Sequence, residues 1–126
     1  MVLSRILPGE RGKAAENQAC RFLRAQGLQL VTRNYRCRYG EIDLIMRHGR
    51  DLVFVEVRYR GIRRFAGGAE TVDRRKQSKL TATALHYLQS HPDSAAHPAR
   101  FDVVAIDAGS GENRLEWIRD AFGAEA

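Results

Sequence analysis

The stretch GEIDLIMRHGRDLVFVEVRYR, residues 40–60, sets Glu41, Asp43 and Glu56 inside two apolar runs and ends the second run in arginines. Acids are poor strand formers, so their presence where core strands are expected asks for a chemical reason. Side chains alternate faces along a strand, which puts Glu41, Asp43 and Ile45 on one face and Phe54, Glu56, Arg58 and Arg60 on one face. The connection HGRD supplies the register. Gly49-Arg50 as the central residues of a type II′ turn pairs His48 with Asp51, Asp43 with Glu56 and Glu41 with Arg58.

Two carboxylates with Cβ atoms about 5 Å apart repel by about 3 kcal/mol at an effective dielectric of about 20. Arg58 can answer Glu41, which leaves Asp43 facing Glu56. That residual charge of about −2 suits one divalent cation bound through oxygen, such as Mg²⁺ or Mn²⁺. The alternative is a solvated hairpin face on which screening and the arginines suffice. Two helical residues bear on the choice. Glu16 borders the stripe formed by Ala19, Cys20 and Leu23, where it could complete a metal site, pair with Lys13 or meet a strand arginine. Lys76 shares a stripe with Leu80 and Ala84. It could bring an ammonium toward a phosphate near the acids, or extend past the core edge into water.

The elements that must position these residues follow from periodicity and punctuation. Residues 9–27 read as a helix with Ala15, Ala19, Phe22 and Leu23 on its apolar face and Gly27 as its stop. LQLVTRNYRCR, EIDLIM and DLVFVEVRYR read as three successive strands in an antiparallel meander. GIRRFAGGAET reads as a Gly-rich basic loop. VDRRKQSKLTATALHYLQS is a second helix, HPDSAAHPA with its two prolines is irregular, and RFDVVAID is a strand. A right-handed crossover brings that strand back parallel to LVFVEV. NRLEWIRD closes as a short strand, with Trp117 and Phe122 packing in the core or at the sheet edge. The expectation is one α/β domain over residues 1–126, with a central mixed sheet flanked by helices.

Composition narrows the function classes. The 126 residues carry 21 Lys and Arg against 15 Asp and Glu, a net charge of +6 and a pI near 9.9. That surplus favours polyanionic partners, nucleic acid first and anionic membrane second, and net charge alone leaves a merely solubilising surface as the alternative. No apolar run approaches the roughly 18–20 residues of a membrane span, and the opening MVLSRIL is too short for a signal segment, so the expectation is a cytoplasmic protein with no membrane partner. Cys20 and Cys37 have no metal-ligand spacing and are expected as reduced thiols. The histidines at 48, 86, 91 and 97 stand in no ligand or triad pattern and are expected at the surface. Gly67-Gly68 lacks the lysine of a phosphate-binding loop.

An acid, about a dozen residues, then Glu-x-Lys on the next strand is the signature of the PD-(D/E)xK nucleases. EID…VEVR resembles it, with Asp43 as first acid, Glu56 as second and Arg58 at the lysine position. The blocks GKAAENQACRFLRAQGLQLVTRNYRCRYGEIDLI, LVFVEVRYR, DRRKQSKL and RFDVVAI, in that order, resemble the YraN-type family of bacterial proteins from about Arg11 to Phe122. That family is similar to archaeal Holliday-junction resolvases, so the resemblance implies a restriction-endonuclease-like fold. It also implies Glu16, Asp43 and Glu56 as metal ligands, with the backbone carbonyl of Val57 as a fourth, and Arg58 as basic partner. A homodimer follows by the same analogy.

The family pattern VEVK is VEVR here. Arginine stays charged, so Arg58 can offset negative charge on a phosphate but cannot serve as a general base; Lys76 is the candidate to supply an ammonium instead. The reading is a metal-dependent nucleic-acid phosphodiesterase acting on branched or structured DNA, with DNA ahead of RNA. Arg60, Arg63 and Arg64 after the second acid strand, and Arg74, Arg75 and Lys79 on the second helix, would track the backbone. The rival is a nucleic-acid-binding module that keeps the scaffold without the chemistry. A third reading gives the basic face an acidic protein partner.

Overall fold

Apolar residues line both faces of the central sheet, and each face is closed by one helix. A computed structural model describes residues 8–61, 72–108 and 113–123, without the side chains of 8–11, 60, 61, 108 and 113. The elements run α1 (Pro8–Ala25), β1 (Gln29–Cys37), β2 (Gly40–His48), β3 (Asp51–Gly61), α2 (Arg74–Ser90), α3 (Pro92–Ala95), β4 (Ala99–Ala108) and β5 (Asn113–Phe122). The sheet order is β1-β2-β3-β4-β5. Every neighbouring pair is antiparallel except β3 and β4, which are parallel and joined through α2. This is the mixed α/β sheet expected from the sequence, and it is consistent with a restriction-endonuclease-like fold.

Helix α1 starts on a proline, whose missing N–H costs nothing in the first turn. It stops where Gly27 takes φ 101° and Leu28 donates its N–H to the Leu23 carbonyl at 3.0 Å, a glycine-dependent helix end. Ala15, Ala19, Cys20 and Leu23 pack on Leu44, Met46, Val53, Val55, Val104 and Ile106. Helix α2 is capped by Asp73, which accepts the Lys76 N–H at 2.9 Å. Its Leu80, Ala84 and Tyr87 pack on the opposite sheet face, against Ile42, Ile45, Leu52, Phe54, Phe101 and Val103.

The hairpin register is the expected one next to the turn, but the expected pairs Asp43–Glu56 and Glu41–Arg58 are not part of the ladder. His48 pairs with Asp51 and the ladder continues to Leu44–Val55, around Gly49 at φ 62°. Elsewhere the structure departs from the sequence reading. HPDSAAHPA is not wholly irregular, because Pro92 starts a single helical turn, Pro92–Ala95, for which its fixed φ is suited. The closing strand is longer than NRLEWIRD and runs to Phe122. The basic loop expected over GIRRFAGGAET lies, after Gly61, outside the described residues.

At the far end of the sheet a buried acid anchors a network that reaches four strands, β2 to β5. Asp102 is fully buried and accepts hydrogen bonds from Arg100 Nε (3.0 Å), Trp117 Nε1 (2.9 Å) and the Asp120 N–H (2.9 Å). Arg100 also donates to Asp51 (2.9 Å) and lies 2.9 Å from Nδ1 of His48. His48 is therefore half-buried in a network and not a free surface residue. In the core, Phe54 is 2% exposed and packs with its ring centroid 6.0 Å from that of Tyr87 and 5.6 Å from that of Phe101. Phe54→Ala is expected to cost about 3–5 kcal/mol of unfolding free energy in urea denaturation.

Candidate metal centre

The β2–β3 ladder ends at Leu44–Val55, one step short of the acids. Asp43 does not close the next main-chain pair; its Oδ2 accepts the Val57 N–H at 2.8 Å. Strand β2 also changes its facing here. Ile45 and Ile42 both pack on the α2 side while Leu44 lies on the α1 side, so the period of two breaks at Asp43. On β1, Arg33 pairs with Leu44 and Tyr35 with Ile42, and Asn34 between them has φ 52°. Asparagine is among the few residues that tolerate such a left-handed conformation.

That break gathers carboxylates from different sides. Oxygens of Glu16 on α1 and of Glu41 and Asp43 on β2 lie within 4.8 Å of one another. Asn34 Nδ2 bridges them, 3.1 and 3.2 Å from the two oxygens of Glu16 and 3.0 Å from Oε2 of Glu41. Arg36 Nε stands 3.4 Å from Glu41, and Arg33 Nη2 stands 3.7 Å from Glu16. A cavity of about 240 Å³ opens here, lined by Gly12, Lys13, Glu16, Asn34, Arg36, Glu41 and Asp43. Glu16 thus meets a strand arginine and borders the cavity at once.

Two expectations are corrected. Glu41 does not share a face with Ile45 and does not meet Arg58, because the break at Asp43 turns Glu41 toward Glu16 and leaves Arg36 and Asn34 as its partners. Arg58 instead lies with its Nη1 3.5 Å from Glu56, its neighbour two residues back on the same strand. Lys76 reaches Glu56 as well, Nζ to Oε2 at 3.5 Å, so its helical stripe does bring it to the acids.

Glu56 is 5% exposed. Burial pushes its carboxyl above the ordinary range, and the Lys76 ammonium and Arg58 guanidinium pull it back. Asp43 is pushed from 3.8 up to about 8, first by burial and then by the charge of Glu56, with Glu16 and Glu41 adding to the rise against the Val57 N–H. Glu16 and Asp43 therefore belong to the three-carboxylate group, Glu56 stands beside it with two cations in contact, and Val57 contributes its N–H. Arg74, Arg75 and Lys79 are exposed along α2; the Arg60 side chain is not described, and Arg63 and Arg64 fall outside the described residues.

Sequence reasoning missed Glu41 and Asn34 as members of the group. The only available signal was Asn34 itself, a turn-former inside an otherwise strand-like run. The donor set fits a hard divalent cation, since it offers carboxylate oxygens without soft ligands.

The fold also gives Asp43 a definite pH dependence. The folded protein holds the Asp43 proton to about pH 8, whereas the ordinary value is 3.8. Folding therefore binds a proton across that interval, and the metal-free protein loses stability as pH rises through it. In EDTA at pH 8.5, Asp43→Asn should melt above the wild type by on the order of 5 °C. The gap should close as the pH approaches about 4, and calorimetric scans across pH read both effects.

Comparison with known proteins bears on the whole of this arrangement. Residues 15–106 match the family described as "Uncharacterised protein family UPF0102". The chain is 47% identical over 117 residues to a UPF0102 protein of Nitrosococcus oceani, covering 93% of this chain and 94% of that one. It is 52% identical over 114 residues to a UPF0102 protein of Nitrosomonas europaea, covering 90% and 94%. A UPF0102 protein of Pseudomonas putida is 47% identical over 116 residues, covering 91% and 94%.

Proposed function

This chain belongs to the UPF0102 family, and from that premise and the geometry of the acids we propose that it is a metal-dependent nucleic-acid phosphodiesterase acting on branched or structured DNA. The observation that carries the reading is the group of three carboxylates from α1 and β2 around a cavity, beside a buried glutamate in contact with Lys76 and Arg58. Repelling charges are tolerated in a fold of marginal stability where a function uses them.

Glu16, Glu41 and Asp43 would hold a Mg²⁺ or Mn²⁺ ion in this reading, which would supply Lewis-acid polarisation of the scissile phosphate and activation of the attacking water. The Val57 N–H fixes one oxygen of Asp43. Glu56, whose charge acts on Asp43, holds Lys76 and Arg58 in contact, and both would offset phosphate charge. Arg74, Arg75 and Lys79 track the backbone along α2. Since a symmetric cut through a branched substrate takes two sites, the proposal includes a homodimer.

The ligand set implied by family resemblance, Glu16, Asp43 and Glu56, differs from the geometric set in one member. Titration calorimetry with Mn²⁺ separates them: Glu41→Gln should weaken binding at least 10-fold, and Glu56→Gln should weaken it less. The reverse order restores Glu56 as ligand. Cleavage is tested on single-stranded, duplex, flapped and four-way DNA with Mg²⁺ or Mn²⁺. The expected result is metal-dependent cutting of the branched forms, lowered at least about 100-fold by Asp43→Asn. Salt-dependent DNA binding without metal binding or cutting would instead favour a non-catalytic binding module, a reading supported by the cations already in contact with Glu56.

A further inference from the structure

The turn between β1 and β2 carries an exposed aromatic ring. Tyr39 is 43% exposed and lies two residues before Glu41. A lone exposed aromatic means little by itself, and Tyr59, 39% exposed on β3, is an example. Tyr39 differs because it ends a series of ring contacts that starts in the core. Phe54 packs edge-on to Tyr87, and Tyr87 packs edge-on to Tyr35 with ring centroids 5.1 Å apart. The Tyr35 hydroxyl shares a 2.6 Å hydrogen bond with Nδ1 of His86, and the His86 ring packs edge-on to Tyr39 at 6.1 Å.

The turn itself is held in place. Its Tyr39 N–H points to Cys37 Sγ at 3.4 Å. Gly40, at φ 152°, runs so close to α2 that a Cβ there would stand 3.1 Å from Oγ1 of Thr83. The Arg38 guanidinium carbon lies over the Tyr39 ring, 5.1 Å from its centroid. A ring fixed in advance, with a guanidinium over it, is the kind of surface on which an unpaired base stacks with little further loss of freedom.

We propose that Tyr39, with Arg38 above it and His86 against its edge, is a stacking platform for an unpaired nucleobase, making the preferred ligand a nucleic acid with single-stranded character. The assignment rests on the nucleic-acid reading above and names its substrate class. A duplex keeps its bases stacked on one another and has no free face to offer Tyr39. A single strand or a branch point has such faces.

The test is binding in EDTA, where cleavage cannot intervene. Fluorescence anisotropy is measured with a single-stranded oligodeoxynucleotide, a flapped duplex and a blunt duplex, all carrying 2-aminopurine. Tyr39→Ala should weaken the single-stranded and flapped probes about 10-fold, in the range typical of base–aromatic stacking, and leave the blunt duplex within about 2-fold. It should also abolish the quenching of 2-aminopurine that stacking produces, and Tyr39→Phe should retain both properties. An unchanged affinity for the single strand, or an equal loss on all three probes, overturns the platform while leaving the metal and cleavage results standing. If the wild type binds none of the probes even at low salt, the nucleic-acid reading itself falls, and the platform with it.

Discussion

Carboxylates resist being buried together, and much of the structure around the acids answers that constraint. A buried acid loses hydration, and a second one nearby raises the cost again. Asp43 carries both burdens and responds by holding its proton to about pH 8. Its neighbours are distributed so that no single cation must neutralise the whole group. Glu56 has Lys76 and Arg58, Glu41 has Arg36, Glu16 has Arg33, and Asn34 spans Glu16 and Glu41. These partners come from α2, β1 and β3, so the packing of helices on the sheet and the electrostatics of the acids are one problem.

A similar backbone device occurs at both ends of the sheet with opposite outcomes. Asn34 and Asp120 are the non-glycine residues with positive φ among those described, at 52° and 51°. Asp120 lies at the register shift of the β4–β5 ladder. Asn34 lies between the Arg33–Leu44 and Tyr35–Ile42 pairs of an unshifted stretch of β1–β2, next to an acid that turns its side chain to other partners. At Asp102 every polar demand is met by Arg100, Trp117 and Asp120, and the result is a clamp. At Asp43 the Val57 N–H donates to one oxygen, Glu16 and Glu41 bring their carboxylates close, and the result is a cavity. Local departures from regular pairing commonly re-aim side chains in this way.

Much of this was legible in the sequence. HGRD sets the hairpin register, because a two-residue turn admits one pairing and the apolar pattern admits one facing. The stripes Ala19–Cys20–Leu23 and Lys76–Leu80–Ala84 correctly set Glu16 and Lys76 at the edge of the core. What the pattern could not carry was the break at Asp43. Counting by twos assumes an unbroken ladder and so puts Glu41 on the face it leaves and opposite Arg58, which it does not meet. Asp102 escaped notice for a related reason: in RFDVVAID an acid within a strand signals nothing until Arg100 and Trp117 are seen to converge on it.

The contact between Lys76 and Glu56 bears on how such proteins are found. A pattern search that demands lysine two residues after the second acid passes over this chain, which has arginine there. Yet an ammonium stands 3.5 Å from that same glutamate, delivered by a helix 20 positions further along the chain. Where the physical requirement is a positive group at a point in space, its address along the polymer is free to change. Kinship at sites of this sort is better sought by superposing charges than by aligning letters.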